Sequence, residues 1–532
     1  MKNTKELFYN GDIITLEDNL YAEALLVEDG KISGVGSKEE LMEKAGPEVE
    51  LKDLKGRTLM PSFIDAHSHF SGYASTFTQV DLSEAISFEE ISEAIKRFIV
   101  KNHIPEGKWI QANGYDQNFL KEKDHPTLEL LDGVAPKNPL IVKHKSGHMG
   151  VMNTAALEAL NINENTEAPD GGVIGKKDGR LTGYVEENAF MKYIQEIPMI
   201  SNEEFMASLM KAQKAYESYG ITTVQEGFVV EQLAPILEYL SKAGMLELDL
   251  IGYMDISRAD QLKDKFSDCL GKYDNHVKIG GYKTFLDGSP QGRTAWMRTL
   301  YKGEDKSYKG YGTQSDDEIR EKLEKALKED IQIIVHCNGD AACEQYITQY
   351  KMAVENTGIK KDIRPVIIHA QLIGKDQLEE VKNLKMIPSF FVAHVYHWGD
   401  IHIENFGMER AEEISPAASA LEEGIIFTFH QDAPVIEPDM LETIWCAVNR
   451  ITKEGVVLGD SERISPLEAL KAVTKNAAYQ YFEEDIKGTL KPGKLADMVI
   501  LDRNILKVDP LEIRDIKVME TIKEGKTIYK NC

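Results

Sequence analysis

Two histidines at the end of an apolar run are the residues of this chain best placed to do chemistry. His67 and His69 lie two positions apart in the segment Pro-Ser-Phe-Ile-Asp-Ala-His-Ser-His that begins at Pro61. In an extended strand, residues i and i+2 point to the same face. Both imidazoles can therefore face one point, which is the arrangement that a bound metal ion requires.

Three later apolar runs also lead to a side chain that can bind a metal ion. These side chains are His336 after 331–335, His369 after 366–368 and Asp432 after 425–429. In a barrel of parallel strands, functional groups lie at the C-terminal ends of the strands. Four histidines and one carboxylate at such ends form a nitrogen and oxygen set suited to zinc, manganese or iron.

A lysine inside another apolar run is a further candidate. Lys283 lies within the run 277–286. A buried lysine is costly to keep charged, so desolvation lowers its pKa. A neutral amine can react with carbon dioxide to give an anionic carbamate, which could bridge two metal ions. The spacing alone leaves an ordinary surface or ion-paired lysine as the alternative.

Strands and helices alternate through the middle of the chain. Ser87-Phe-Glu-Glu and Ser201-Asn-Glu-Glu predict capping boxes at helix starts, and Ser465 followed by proline predicts a third start. Between the helices, apolar runs predict strands at 221–224, 277–286, 331–336, 366–369, 386–391 and 425–429. This rhythm predicts an α/β fold with a (β/α)8 TIM barrel over residues 61–484.

Both ends of the chain and one internal stretch depart from that rhythm. Residues 1–60 and 485–532 contain short apolar runs separated by glycine turns, which are typical of hairpins. Neither end can bury a sheet face alone, so we predict one composite β-sandwich domain built from both. Residues at about 72–195 carry Gly and Asp turns, which predicts a subdomain inserted after the first barrel strand.

The amino-acid composition restricts the kinds of protein and partner that fit this chain. The 532 residues are 42% hydrophobic and 28% charged, as in globular proteins, and no apolar run approaches the roughly 20 residues of a membrane span. A net charge of −26 argues against nucleic acid or an anionic membrane as partner. The five unpatterned cysteines and a start without a signal-peptide pattern predict a cytoplasmic protein. A homodimer is the base-rate expectation.

The motifs taken together resemble those of the amidohydrolase superfamily. The resemblance is closer to its amidohydrolase-3 group, which includes N-substituted formamide deformylases, and runs from Phe8 to about Tyr529. The segments that carry it are 61–69, 146–148, 181–189, 283–289, 336–340, 369–371, 430–435 and 493–499. The group often has Gly-Ser before the aspartate of strand eight, where this chain has His430 and Gln431.

The resemblance implies a barrel that holds one or two divalent metal ions. The implied ligands are His67, His69, Lys283, His336, His369 and Asp432. The first two histidines would hold one ion and the last two the other, with the lysine, carboxylated by carbon dioxide, as a bridge. The aspartate would also move protons as the catalytic base and acid. Zinc is the favoured ion, with manganese or iron as alternatives.

Four further side chains are candidates for contact with a small-molecule substrate. They are His148, Arg293, His394 and His397. The last three could steady an oxyanion. His148 could instead cap the inserted subdomain, and His394 or His397 could join the metal site.

The leading functional hypothesis is hydrolysis of a C–N bond in a small amide, N-acyl or N-formyl compound by metal-activated hydroxide. A deaminase of a heterocyclic amine on the same metal site is the nearest alternative, and release of ammonia separates the two. An isomerase or decarboxylase would form product without incorporating water. A catalytically inactive scaffold would be expected to have lost metal ligands, whereas this chain keeps a complete candidate set.

Overall fold

The computed structural model describes residues 5–145, 149–198, 201–303 and 307–531. The strands in chain order are β1 (Lys5–Ile14), β2 (Tyr21–Glu28), β3 (Lys31–Gly36), β4 (Glu50–Asp53), β5 (Thr58–Pro61), β6 (Phe63–Ile64), β7 (Val80–Asp81), β8 (Ile110–Tyr115), β9 (Leu140–His144), β10 (Met149–Met152), β11 (Gly172–Lys177), β12 (Arg180–Glu187), β13 (Ile221–Val229), β14 (Asp249–Asp255), β15 (Val277–Phe285), β16 (Gln332–Cys337), β17 (Val366–His369), β18 (Ile387–Phe390), β19 (Thr428–Phe429), β20 (Met498–Leu501), β21 (Val518–Lys523) and β22 (Lys526–Lys530).

The helices in chain order are α1 (Lys38–Ala45), α2 (Phe70–Thr76), α3 (Phe88–Lys101), α4 (Leu128–Val134), α5 (Thr154–Ala159), α6 (Asn188–Glu196), α7 (Asn202–Ser218), α8 (Ala234–Ala243), α9 (Ala259–Lys263), α10 (Asp316–Glu329), α11 (Asp340–Thr357), α12 (Leu378–Asn383), α13 (His394–Phe406), α14 (Met408–Ala411), α15 (Ala417–Glu422), α16 (Met440–Asn449), α17 (Pro466–Ala472) and α18 (Lys475–Gln480). Short 3₁₀ turns lie at Ile256–Arg258, Lys375–Gln377, Asp460–Glu462 and Pro510–Asp515. Within the described ranges, we find no helix with both the length and the apolar character needed to cross a bilayer.

A sheet of eight parallel strands positions the candidate site. Its order is β6-β13-β14-β15-β16-β17-β18-β19, which is the order of the chain. The segments that follow the two outer strands meet, because Asp432 N donates to His67 O at 3.3 Å and His69 N donates to Ala433 O at 2.8 Å. This is the TIM-barrel-like α/β arrangement that the strand–helix rhythm predicts.

The last barrel strand is shorter than the sequence predicts. The apolar run starts at residue 425, but β19 contains only Thr428 and Phe429. Gly424 has a φ of +73° at the end of α15, and Ile425 N donates to Ala420 O at 2.9 Å. The first residues of the run therefore close the preceding helix, and Ile426 is left 39% exposed.

The predicted helix starts are present. Ser87 Oγ accepts a hydrogen bond from Glu90 N at the start of α3. At α7 the capping is reciprocal, because Ser201 Oγ accepts from Glu204 N at 3.2 Å and the Glu204 carboxylate accepts from Ser201 N at 3.1 Å. Ser465 caps α17, with proline at the first helical position. Each cap satisfies a backbone N–H that the helix leaves without a partner.

Strands from both ends of the chain share one sheet. Its order is β22-β21-β20-β5-β1-β2-β3, with β4 paired to β1. The two ends meet where β5 pairs antiparallel with β20, so that Met60 lies opposite Val499. One buried cluster joins residues of both ends, among them Phe8, Leu59 and Met498. The sandwich predicted for 1–60 and 485–532 stays a prediction.

The chain divides into two compact units. One consists of Met1–Phe70 and Gln213–Cys532, and the other of Ser71–Ala212. The second unit overlaps the stretch of about 72–195 that the sequence predicts as an insertion. It has its own sheet, in the order β11-β12-β10-β9-β8-β7, and its own buried clusters around Ile91 and Phe190.

Candidate metal centre

The two histidines that follow β6 converge on one carboxylate. His67 Nε2 lies 3.4 Å from Asp432 Oδ1, and His69 Nε2 lies 3.5 Å from the same oxygen. The ligand atoms of these three residues all lie within 4.8 Å of one another. The backbone bonds between the ends of β6 and β19 hold the three side chains together.

The orientation of His67 is fixed by a glutamine that the sequence alone does not single out. Gln225 uses its amide nitrogen to donate to Ala66 O and to the Tyr481 hydroxyl, both at 2.8 Å. Its oxygen lies 2.5 Å from His67 Nδ1 and therefore accepts a hydrogen bond from that nitrogen. The lone pair of His67 is thus on Nε2, which faces Asp432. The sequence marks Gln225 in one way only, as a polar residue inside the apolar run that forms β13.

Lys283 is fully buried on β15 beside these residues. Its Nζ lies 3.4 Å from His67 Nε2. Burial lowers the pKa of Lys283 to about 7, although the negative charge of Asp432 acts to raise this pKa. A large part of the amine is therefore neutral near pH 7, the form that can react with carbon dioxide.

One oxygen of Asp432 receives no hydrogen bond from the part of the chain that the structure describes. Within the described residues, the buried Oδ1 has no hydrogen-bond partner. Burial raises the pKa of Asp432 to about 7, although the charge of Lys283 lowers it. A buried carboxylate oxygen surrounded by imidazole nitrogens, without a hydrogen bond, is suited to bind a cation.

The histidines of β16 and β17 form a second part of the centre. His336 Nδ1 lies 3.1 Å from His369 Nε2, and His369 Nε2 lies 3.9 Å from Asp432 Oδ2. On its other side, His369 Nδ1 lies 3.1 Å from His430 Nε2. His430 Nδ1 in turn lies 2.9 Å from Ser389 Oγ. We call Ser389, His430 and His369 the histidine relay.

The donor set fits a divalent metal ion. Burial lowers the pKa of His69 to about 4 and that of His336 to about 3, and it holds the pKa of His67 and His369 well below the usual range. The rings are therefore neutral at physiological pH, as metal ligands must be. Neutral imidazoles together with carboxylate oxygens are the donors that zinc, manganese and iron accept.

A second carboxylate anchors the loops beside the centre. Asp287 follows β15 and accepts hydrogen bonds from Trp296 N at 2.9 Å, Asn338 N at 2.9 Å and Gly339 N at 2.7 Å. Burial raises its pKa to about 7, and these three bonds act in the opposite direction. Asp287 lies in the segment 283–289, one of those that resemble the amidohydrolase-3 group. The sequence does not predict its bonds to the loop after β16, because they depend on the fold.

His394 lies near the histidine relay, on the first turn of α13. Its ring centroid is 4.6 Å from that of Phe391, whose own centroid is 5.3 Å from that of His430. His394 Nδ1 lies 3.1 Å from His402 Nε2. The sequence does not single out His402, because its contact with His394, eight positions earlier, depends on both residues lying on one helix.

The other predicted substrate contacts have partners of their own. His397 Nε2 lies 2.8 Å from Glu442 Oε1. Arg293 Nε donates to Asn405 Oδ1 at 2.7 Å. His148 lies outside the described residues.

Comparisons with known proteins agree along almost the whole chain. A model of the amidohydrolase family matches residues 50–529. The N-substituted formamide deformylase of Arthrobacter pascens is 26% identical over 547 residues, which cover 98% of each chain. An uncharacterized metal-dependent hydrolase from Pyrococcus horikoshii OT3 is 27% identical, with a TM-score of 0.77 and coverage of 99% of this chain and 100% of that one. One from Pyrococcus furiosus is 26% identical, with a TM-score of 0.76 and coverage of 94% and 100%.

Proposed function

The chain belongs to the amidohydrolase family, and from that premise we propose that it hydrolyses a C–N bond in a small amide, N-acyl or N-formyl compound. The observation that carries the proposal is the buried Oδ1 of Asp432, which has no hydrogen-bond partner among the described residues and faces His67 and His69. Such an arrangement stabilises a cation at the C-terminal ends of barrel strands, where barrel enzymes carry out their chemistry.

We assign the metal ligands as the sequence suggests. They are His67, His69, Lys283, His336, His369 and Asp432. Lys283 would join as a carbamate, for which its buried, largely neutral amine is suited. A divalent ion held there, with zinc the first choice, would lower the pKa of a water molecule and polarise a substrate carbonyl.

Asp432 is the proposed proton carrier. Burial raises the pKa of Asp432 to about 7 in the metal-free protein. Its carboxylate could take a proton from the attacking water and return it to the leaving nitrogen. General acid–base groups work best when their pKa lies near the operating pH. The backbone bond from Asp432 N to His67 O keeps the carboxylate beside the first histidine pair during both transfers.

His394 is the proposed hydrogen-bond donor to the substrate oxygen. The buried Nδ1 of His402 has no partner among the described residues. An unpaired lone pair there costs less than an unpaired N–H, so the proton of His402 belongs on Nε2 and is donated to His394 Nδ1. The proton of His394 is then on Nε2, where it can be donated to an oxyanion. Arg293, His397 and His148 remain candidates for contacts with the rest of the substrate.

A panel of N-formyl and N-acyl amides tests this function. The formamide deformylase similarity makes N-formyl amines the first compounds to assay with the metal-loaded protein. Release of the amine together with a carboxylate is the expected result. Release of ammonia from heterocyclic amines alone would replace the proposal with a deaminase.

A further inference from the structure

We infer that His430 is a positioning residue that holds His369 in the tautomer able to bind a metal ion, through the histidine relay. This inference deepens the proposed function and rests on it. His430 lies two positions before Asp432, next to Gln431, and its side chain is fully buried. His430 is not one of the proposed metal ligands. It would therefore affect metal binding through the residues that it contacts.

Each ring nitrogen of His430 has one polar neighbour within hydrogen-bond distance. Nδ1 lies 2.9 Å from Ser389 Oγ, and Nε2 lies 3.1 Å from His369 Nδ1. Its ring centroid is 5.2 Å from that of His67 and 5.3 Å from that of Phe391. Rings on both sides leave His430 little freedom to rotate away from these two polar partners.

Two proton arrangements are compatible with this relay when both rings are neutral. In the first, His369 Nδ1 donates to His430 Nε2, and His430 Nδ1 donates to Ser389 Oγ. In the second, Ser389 donates to His430 Nδ1, and His430 Nε2 donates to His369 Nδ1. The second arrangement places the proton of His369 on Nε2 and removes the lone pair that a metal ion needs. The first leaves that lone pair free.

The neighbouring histidine supports the first arrangement. Asn338 Nδ2 lies 3.0 Å from His336 Nε2 and can donate to it, which leaves the proton of His336 on Nδ1. His336 Nδ1 lies 3.1 Å from His369 Nε2 and then donates to the lone pair of that nitrogen. The alternative contact of His336 Nε2, with Gly288 O, is longer at 3.3 Å, and Asn338 Nδ2 already donates to that carbonyl at 2.8 Å. The lone pair on His369 Nε2 is the one that a metal ion would use.

A histidine that binds a metal ion usually donates the N–H of its second ring nitrogen to a neighbouring acceptor. Loss of that acceptor weakens metal affinity about 10–100-fold. Here the acceptor is another histidine. His430→Phe keeps a ring in the same place and removes the acceptor. His430→Gln keeps an amide oxygen that can accept from His369 Nδ1.

Competition between the protein and a chelator for Zn²⁺ measures the effect. The wild type, His430→Phe, His430→Gln and a control, His103→Asn, are titrated after removal of metal, with bound zinc quantified by elemental analysis. We expect His430→Phe to bind one equivalent about 10–100-fold more weakly and His430→Gln to recover most of that loss. His103→Asn, which changes an exposed histidine, should match the wild type. Equal affinity in His430→Phe and the wild type would overturn the inference and leave the proposed function intact, whereas a wild type without zinc would overturn the proposed function.

Nitrogen-15 NMR of histidine-labelled, zinc-loaded wild type provides a second measurement that needs no altered metal affinity. The resonances of His430 are identified by their loss in His430→Gln. The relay requires a protonated Nδ1 and an unprotonated Nε2 in His430. A proton on Nε2 would contradict it, even if His430→Phe failed to fold.

Discussion

Burial is the largest influence on the protonation of the single residues in this centre. His67 and His369 lie among other rings and an amide, and the pKa of each is held well below its usual range, first by burial. The same effect raises the pKa of Asp432 and lowers that of Lys283, both to about 7. The fold therefore supplies neutral imidazoles beside an aspartate and a lysine whose charged forms are disfavoured by burial.

Asp432→Asn tests the proton-carrier role directly. The amide keeps one oxygen but cannot take up a proton, so we expect turnover to fall by about 10²–10⁴-fold, the usual contribution of a general acid–base group. Bound metal should remain close to the wild-type amount. Asp268→Asn, the same change at an exposed position, serves as the control. Wild-type turnover in Asp432→Asn would remove this role from the mechanism.

His402 gives the metal-free protein a specific dependence of stability on pH. Burial lowers the pKa of His402 from 6.5 to about 3. Below pH 6.5 the unfolded chain therefore binds more protons than the folded protein at this site. The stability that His402 contributes is complete above pH 6.5 and is lost as the pH falls toward 3.

Urea unfolding at pH 6.5 and pH 4 measures this contribution. We expect the free energy of unfolding of the wild type to fall by about 2–3 kcal/mol more than that of His402→Phe over this interval. His103→Asn, a change of an exposed histidine, is the control. Parallel losses in the wild type and His402→Phe would show that His402 is not buried as a neutral ring.

At the level of elements, parallel strands bring the ends of distant segments to one edge. His336 lies opposite Ile368 on the neighbouring strand, and Cys337 lies opposite His369. The sequence could predict these strand ends, because parallel buried strands are nearly continuous apolar runs. It could not predict Gln225 as the partner of His67, because the two residues are 158 positions apart and their contact depends on the pairing of β6 with β13.

The pairing of β15 with β16 requires a residue without a side chain. A Cβ added at Gly281 would lie 2.2 Å from Gln332 O. Because that atom belongs to the backbone of the next strand, we expect Gly281→Ala to destabilise the protein by about 1–3 kcal/mol and to displace Lys283 two residues later. Thermal unfolding and metal content measure the two effects.

Gly133→Ala is the matched control for this substitution. Gly133 lies within α4, and an added Cβ would have no heavy atom within 4 Å. Alanine is favoured over glycine by about 1 kcal/mol inside a helix, so stability should stay the same or rise. A Gly281→Ala protein as stable as the wild type would contradict the close approach of β15 and β16.

Over the whole molecule, a buried network of charges joins the terminal sheet to the barrel. Lys523 on β21 lies 2.9 Å from Asp249 Oδ2 on β14 and 2.8 Å from Asp497 Oδ2. Lys487 also pairs with Asp249. Composition suggested that both ends of the chain share a domain, but it gave no sign of this network, because its members are spread over 275 positions from Asp249 to Lys523.

Lys523→Met should therefore cost the protein much of its stability. The substitution leaves Asp249 and Asp497 buried with one cation fewer, and breaking a buried pair in this way costs about 3–5 kcal/mol. Lys530→Met, which removes a lysine that is 68% exposed and paired with Glu520, should change stability by at most about 1 kcal/mol. Similar thermal midpoints for the two variants would argue against a structural role of the network.

Metal content is the measurement that tests the central claim most directly. The purified wild type and a His67→Ala/His69→Ala variant are compared by elemental analysis, with His103→Asn as the control. The account predicts about one to two equivalents of a transition metal in the wild type and the control, and loss of metal in the double variant. Absence of metal from all three proteins after reconstitution, or equal metal in all three, would contradict a metal centre built on these two histidines.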